Sequence, residues 1–214
     1  MAQYNKGITT HNILLKVAKT LFYNQGYEAT TTRQLADQSG VNLGLIKYHF
    51  ASKANIALEI YSEIRQTFDD YIASQNYSGN QCILIGSAIE FVLCFNSPNY
   101  LRFLVEIYKE PTIKDLFQSK ILSIDGISHD NDATYKLHSV AFSSMKPSLF
   151  AYAATEEGKQ IDQKQYILYY MNQQINAYHL SDDPQLAEYC YSQLQKYYLN
   201  VVDNFTPVIA RIQE

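Results

Sequence analysis

GVNLGLIKYHFASK, residues Gly40 to Lys53, is an odd piece of helix. Leu43, Leu45, Ile46, Tyr48 and Phe50 recur at helical spacing, yet Gly44 sits among them, where glycine costs roughly 1 kcal/mol relative to alanine. Lys47, Tyr48 and His49 then stand side by side. A helix this short, weakened by glycine and loaded with polar and cationic groups, is built to present a surface rather than to fill a core. Asn42 reads as its N-cap, and Gly40 as the left-handed stop of the helix before it.

Working outward, Thr31 and Gln34 form a T-x-x-Q capping box that opens a second short helix, with Leu35 and Ala36 facing inward. Upstream, Leu14, Leu15, Ala18, Leu21 and Phe22 make one apolar stripe, opened by a cap at Thr9 or Thr10 and closed before Gly26. Downstream, Ser52 caps a long helix through Ile56, Ile60, Ile64 and Phe68. Two short helices joined by a tight glycine turn, with a longer helix on either side, make a helix-turn-helix unit. In such a unit the second helix lies in the major groove of DNA and turns its N-terminal residues to the base edges. Gly44 then removes a side chain where backbone nears phosphate, and Lys47, Tyr48 and His49 supply a cation and donors to phosphate oxygens.

Charge agrees with that reading. The 214 residues carry a net charge of −4. Residues 1–53 hold six cations and two anions, and residues 54–214 hold eleven and nineteen, so a +4 head sits on a −8 body. A basic head suits a polyanion. The composition is ordinary for a folded chain, 47% hydrophobic and 18% charged. Cys82, Cys94 and Cys190 match neither zinc nor redox spacing and read as packed thiols. The N-terminus has no apolar signal region, and the run Cys82–Phe95 is fourteen residues with Glu90 inside it, so a cytoplasmic protein with no membrane partner is expected.

Beyond the head the patterns stay helical and the expected class is all-α. Gln81–Phe95 is apolar nearly all round, as a buried central helix would be. Pro98 starts a helix through Glu110, and Pro111 a short one to about Ser119. Ser123–Asp132 is a polar loop. Tyr135–Ala154 is helical with a kink expected near Pro147. Two final helices are expected over Asp162–His179 and Pro184–Phe205.

Gly26–Tyr27, Thr30–Thr31, Arg33, Leu35–Ala36, Gly40–Val41, Gly44, Ile46, His49–Phe50 and Lys53 together resemble the DNA-binding domain of the tetracycline-repressor (TetR) family, over about residues 10–58. The resemblance implies an N-terminal three-helix domain, residues 1–53, and a helical ligand-binding and dimerisation domain, residues 54–214. It implies DNA contacts from Thr32, Arg33, Asn42, Leu43, Gly44, Lys47, Tyr48, His49 and Lys53, and a minor-groove role for the chain before Thr9, with Lys6. Lys47 departs from the tyrosine frequent in the family, which puts the operator in doubt. Leu45 either packs inward or faces the groove against a thymine methyl; the packed position is the expectation.

A single reading head buries too little for specificity, so a homodimer on a palindromic double-stranded DNA operator is expected. The stripes Ile167, Tyr170, Met171, Tyr178 and Leu186, Tyr189, Leu194, Tyr197, Val201 form the expected dimer contact, the other reading being that they face the chain's own core. Nineteen tyrosines and ten phenylalanines with no tryptophan suit either a packed core or a cavity for an apolar or aromatic small-molecule effector. Family members hold an effector between central helices. By that resemblance Glu90, Phe91, Arg102, Tyr108, Tyr135, His138, Phe142 and Met145 are pocket candidates. Glu90 needs a partner if buried, and Arg102 is the one expected, unless it pairs with Glu106 along its own helix.

No phosphate-binding glycine loop, metal-ligand spacing or nucleophile elbow is present, so neither catalysis nor a cofactor is expected. The tract Ser128–Asp132 reads as a solvated loop rather than a metal site. The reading is a homodimeric repressor released from DNA by an effector. The alternative is a family-like coactivator that acts through a partner protein without DNA; the basic head argues against it.

Overall fold

The computed structural model describes residues 2–114 and 133–212. Its helices are α1 (Ala2–Gln25), α2 (Thr32–Ser39), α3 (Leu43–Phe50), α4 (Lys53–Ala73), α5 (Gly79–Asn96), α6 (Pro98–Ile107), α7 (Ala133–Ala153), α8 (Gln163–Tyr178) and α9 (Leu186–Leu194), followed by strands β1 (Tyr197–Val202) and β2 (Thr206–Arg211). Residues 111–114 are also helical. The class is all-α, with a helix-turn-helix head followed by a helical body. The rest of the short helix expected after Pro111, and the loop Ser123–Asp132 with its Ser128–Asp132 tract, lie outside the described residues.

The short head helices begin and end where side chains satisfy the free backbone groups. Thr31 Oγ1 accepts from Gln34 N at 3.2 Å while Gln34 Oε1 accepts from Thr31 N at 2.8 Å, closing the expected capping box. Gly40, at φ 66°, ends α2 in the left-handed conformation with its N–H on the Ala36 carbonyl. Asn42 Oδ1 accepts from Gly44 N at 2.8 Å and starts α3. Ser52 caps α4 through Asn55 N at 3.2 Å. Leu35, Ala36, Ile46 and Phe50 then pack with Leu14, Ala18 and Phe22 of α1 and Ile56 and Ile60 of α4 in one continuous core.

α5 opens with a second capping box, Ser78 with Gln81, and runs through the middle of the body. Its length and apolar character alone would let it cross a bilayer. Here Leu84, Ile85, Ala88, Ile89, Phe91 and Leu93 are buried against α4, α6, α8, α9 and β1. α7 continues as helix through Pro147.

Two boundaries differ from expectation. α1 begins at Ala2, so Thr9 and Thr10 lie within the helix rather than capping it. The chain before Thr9, with Lys6, to which the resemblance gave a minor-groove role, is therefore helix from Ala2. At the other end, α9 stops at Leu194 and the chain turns into an antiparallel hairpin with Val202 opposite Thr206 and Tyr197 opposite Arg211. The physical reason is that Leu194, Tyr197, Val201 and Phe205 satisfy a helical period while Tyr197, Leu199 and Val201 equally satisfy alternation. The run YYLNVV is aromatic and β-branched, which favours the strand. Leu199 and Val201 are buried, and the Leu199 carbonyl accepts from Asn96 Nδ2 at 2.7 Å, fixing β1 to the end of α5.

Candidate nucleic-acid interface

On α3, at about 100° per residue, Ile46 and Phe50 mark the core side. They are 2% and 4% exposed. Gly44 and Tyr48 fall opposite, with Leu45 on one flank and Leu43 and Lys47 on the other. Tyr48 is 81% exposed, Leu43 48% and Leu45 41%, so the expectation that Leu45 packs inward is overturned. The turn between α2 and α3 is too tight to fold a second leucine under α1 beside Ile46. Gly44 has a reason of its own. A Cβ there would stand 3.3 Å from Asn42 Oδ1, crowding the cap that starts the helix.

Arg33 is exposed in the first turn of α2, with Thr32 half-buried beside it. None of the described ion pairs involves Arg33 or Lys47. α3 itself carries no acidic residue. His49 is half-buried, edge-on to Tyr48 at 5.1 Å and to His11 at 5.9 Å. His11 in turn stacks on Phe50 at 4.3 Å and meets Glu59 at 2.7 Å, so it braces α3 against α4. Arg33, Asn42, Leu43, Gly44, Leu45, Lys47 and Tyr48 are all exposed to solvent.

Lys53 does not join them. Its Nζ donates to the carbonyls of Tyr27 at 2.9 Å and Thr30 at 2.8 Å and sits 4.0 Å above the Tyr27 ring. Burial draws its pKa below the usual lysine value against the pull of Glu110, Glu106 and Glu28. The resemblance-derived DNA contact gives way to a structural one, because two carbonyls at the α1–α2 turn already hold the ammonium.

That turn is where head meets body. Tyr27, 2% exposed, donates its hydroxyl to Glu110 at 2.6 Å. Burial first, and then Glu110 through this bond and its charge, push the Tyr27 phenol well above its ordinary value. Glu106 of α6 accepts from Glu28 N at 2.8 Å, and Lys109 pairs with Glu28 at 2.9 Å. Arg102 donates to the Tyr23 carbonyl at 2.6 Å. So Arg102 partners neither Glu90 nor Glu106; it reaches from α6 across to the end of α1.

Glu90 is 1% exposed and meets Lys146 and the Tyr61 hydroxyl, each at 2.7 Å. Burial would raise its carboxyl, but Lys146, then Arg65, and the bonds from Lys146 and Tyr61 hold it below the usual carboxylate range. Around it the aromatic candidates do converge. Phe91 lies 5.1 Å from Tyr170, Phe142 lies 5.9 Å from Tyr170 and 5.3 Å from Tyr178, and His138 is 6.1 Å from Tyr178. Tyr108, whose hydroxyl burial raises, and Met145 pack at the margin of the same cluster. Tyr135 is in α7, but its side chain lies outside the described set. A separate crevice of about 340 Å³ opens between α1, α4 and the hairpin turn, lined by Lys16, Lys19, Glu63 and residues 204–207 among others.

Of the expected dimer residues, Ile167, Tyr170, Met171, Leu194 and Val201 are at most 4% exposed within the single chain. They belong to its own core, because α8 lies along α5 and β1 covers it, and that expectation is corrected. Tyr189 is 46% exposed, while Tyr178, Leu186 and Tyr197 are half-buried. Among the described residues no cluster of three His, Cys, Asp or Glu is placed to hold a metal ion. Sequence reasoning missed Lys146 and Glu110, and gave neither Tyr27 nor Glu106 its place at the junction. The partners are 83 residues apart in one case and 56 in another, and no local spacing signals them.

A capped helix pair braced by α1 and α4 and carried on a helical body defines a helix-turn-helix fold. Residues 14–60, the helix-turn-helix and the start of α4, match the family described as "Bacterial regulatory proteins, tetR family". The chain is 47% identical over 47 residues to the HTH-type transcriptional regulator QacR of Staphylococcus aureus, which is 22% of this chain and 25% of that protein. It is 42% identical over 57 residues to the HTH-type transcriptional repressor KstR2 of Rhodococcus jostii, 27% of this chain and 26% of that protein. The match thus spans about a quarter of the length of these curated relatives. In fold, the chain is similar to the full-length TetR regulator TylP of Streptomyces fradiae, with a TM-score of 0.56, 14% identity, and 90% and 93% of the two chains covered.

Proposed function

We propose that this protein is a cytoplasmic, sequence-specific DNA-binding transcriptional regulator that acts as a homodimer on a palindromic operator. The observation that carries the reading is the solvent face of α3. It is capped, anion-free and flanked by Arg33 and Lys47, which enter none of the described ion pairs, on a head of charge +4. The division is a reading head, residues 1–53, and a body, residues 54–214, whose first helix grows directly out of the head. Arg33, Lys47, Tyr48 and His49 meet phosphate or base edges, Thr32 donates to phosphate, and Asn42 both caps α3 and touches the backbone.

An apolar or aromatic effector bound among the α5, α7 and α8 aromatics releases the operator, which makes the protein a repressor. Support comes from the physical continuity between that cluster and the head. α6 and α4 both grip the turn at residues 26–30, so a change in their separation must reach the reading helices. With Ile167, Tyr170 and Met171 committed to the core, a symmetric contact has to use the outer sides of α8 and α9, including Tyr169 at 51% exposure and Tyr189.

The test is gel retardation of DNA from its own promoter region by the full chain. Lys47→Ala with Tyr48→Ala is expected to abolish the shift and leave the oligomeric state unchanged, since both side chains are exposed. Parental affinity falls steeply with added salt, as counterion release requires. A double variant that binds as well as the parent removes the placement of α3 in the groove.

A further inference from the structure

We infer that α3 recognises thymine through its C5-methyl group, with Leu45 and Leu43 as the specificity-determining side chains; this rests on the DNA-binding reading above. Two exposed leucines flank the solvent face of an eight-residue helix, 41% and 48% exposed, in a head whose other large apolar side chains are mostly packed. Lys47 and Tyr48 share that exposed face with them, so an occupant has to offer both anionic and apolar features. A DNA major groove containing thymine has that profile. Its walls are phosphate, and the thymine methyl is the apolar feature that any standard base pair offers there.

The polar inventory of α3 narrows the alternatives. Direct readout by hydrogen bonds pairs arginine or lysine with guanine, amides with adenine and carboxylates with cytosine. Of these groups α3 carries only Lys47 between Leu43 and Phe50. Asn42 Oδ1 is held by Gly44 N, which removes the acceptor half of the bidentate pairing an asparagine makes with adenine. Arg33 remains for a guanine or a phosphate, but it stands on α2. Apart from Lys47, the helix seated in the groove therefore discriminates by apolar contact. Gly44 deepens the effect. With no side chain between Leu43 and Leu45, the backbone of the first turn approaches the bases closely enough for both leucines to reach methyl groups.

The experiment uses the full chain and a random-sequence duplex library to select bound sites. Each thymine of the selected site is then replaced singly by deoxyuridine, which deletes only the methyl. At one or two thymines per half-site the affinity is expected to fall about fourfold, the equivalent of one methylene-sized contact. Leu45→Ala, at an exposed position that leaves folding intact, is expected to bind more weakly and to lose the thymine–uracil difference at one position. Leu43→Ala does the same at another. Selected sites in which no deoxyuridine substitution changes affinity, or a Leu45→Ala protein that keeps the full difference, overturn the inference while DNA binding stands. Failure of the library to yield any bound duplex overturns the DNA-binding reading itself, and the exposed leucines then belong to a protein contact.

Discussion

Replacing Lys146 by alanine strands a carboxylate in the middle of the body, and the size of the loss follows from its surroundings. Glu90 is 1% exposed and Lys146 15% exposed at the side chain, 2.7 Å apart. Removing one partner of a buried pair generally costs about 3–5 kcal/mol because the remaining charge is uncompensated. Two features place Lys146→Ala at the low end, about 3 kcal/mol: the Tyr61 hydroxyl stays at 2.7 Å, and Arg65 still acts on Glu90. Replacing both partners by similar-sized apolar groups, Glu90→Leu with Lys146→Met, is expected to fall within about 1 kcal/mol of the parent, since no charge is then left buried. Urea denaturation at neutral pH measures both.

The pH dependence gives the sharper check. In the parent the folded-state pKa of Glu90 is depressed, so its contribution is present above the ordinary glutamate value and disappears only as pH falls through the lower folded value. Without Lys146, burial outweighs the remaining partners and the folded pKa rises above the ordinary one. The variant then gains stability as pH falls towards the ordinary value, where the parent's Glu90 contribution is still flat. The gap between them should therefore narrow by about 1 kcal/mol on going from roughly pH 7 to 5. A Lys146→Ala loss below about 1 kcal/mol, or a gap that does not change with pH, refutes the reasoning.

Two further substitutions test the frame around the site. The Phe205 ring, 1% exposed, lies 4.5 Å from Phe103 and 5.3 Å from Tyr23, so Phe205→Ala should cost about 3–4 kcal/mol by thermal or urea unfolding and raise amide exchange along β1 and β2. Ala51, which ends α3 at φ 60°, is in a region that favours glycine; Ala51→Gly should stabilise by about 0.5–1 kcal/mol without weakening DNA retardation.

What could be read in advance follows a physical line. The head was legible because its signals are local: Thr31 with Gln34, Gly40, Asn42 and Ser52 act over four residues or fewer, and each appears where expected. Its outward face was legible except at Leu45, whose side depends on how the turn holds α3, and at Lys53, whose ammonium is taken by the Tyr27 and Thr30 carbonyls. The C-terminal hairpin was not legible, since YYLNVV satisfies both periods and only packing on Asn96 and α5 chooses between them. The body stripes were seen correctly as apolar, but apolarity does not say whether a partner subunit or the chain itself will cover them. Chain topology decided that for Ile167 and Met171.

The turn at residues 26–30 shows why the link between body and head is a property of the fold rather than of any motif. Gly26 sits at φ 97°, and a Cβ there would meet the Glu106 carboxylate at 2.8 Å, so α6 approaches as closely as the backbone permits. Tyr27 fills the space behind it, with its ring between Phe22 and the Lys53 ammonium and its hydroxyl on Glu110. The start of α4, the end of α1 and the end of α6 therefore converge on one turn, and the contacts from Lys53, Glu106, Glu110 and Lys109 there are charge-assisted. Such a junction has little slack. A body that rearranges must either carry the reading helices with it or break several of these bonds together, and moving the head as a unit is the cheaper course.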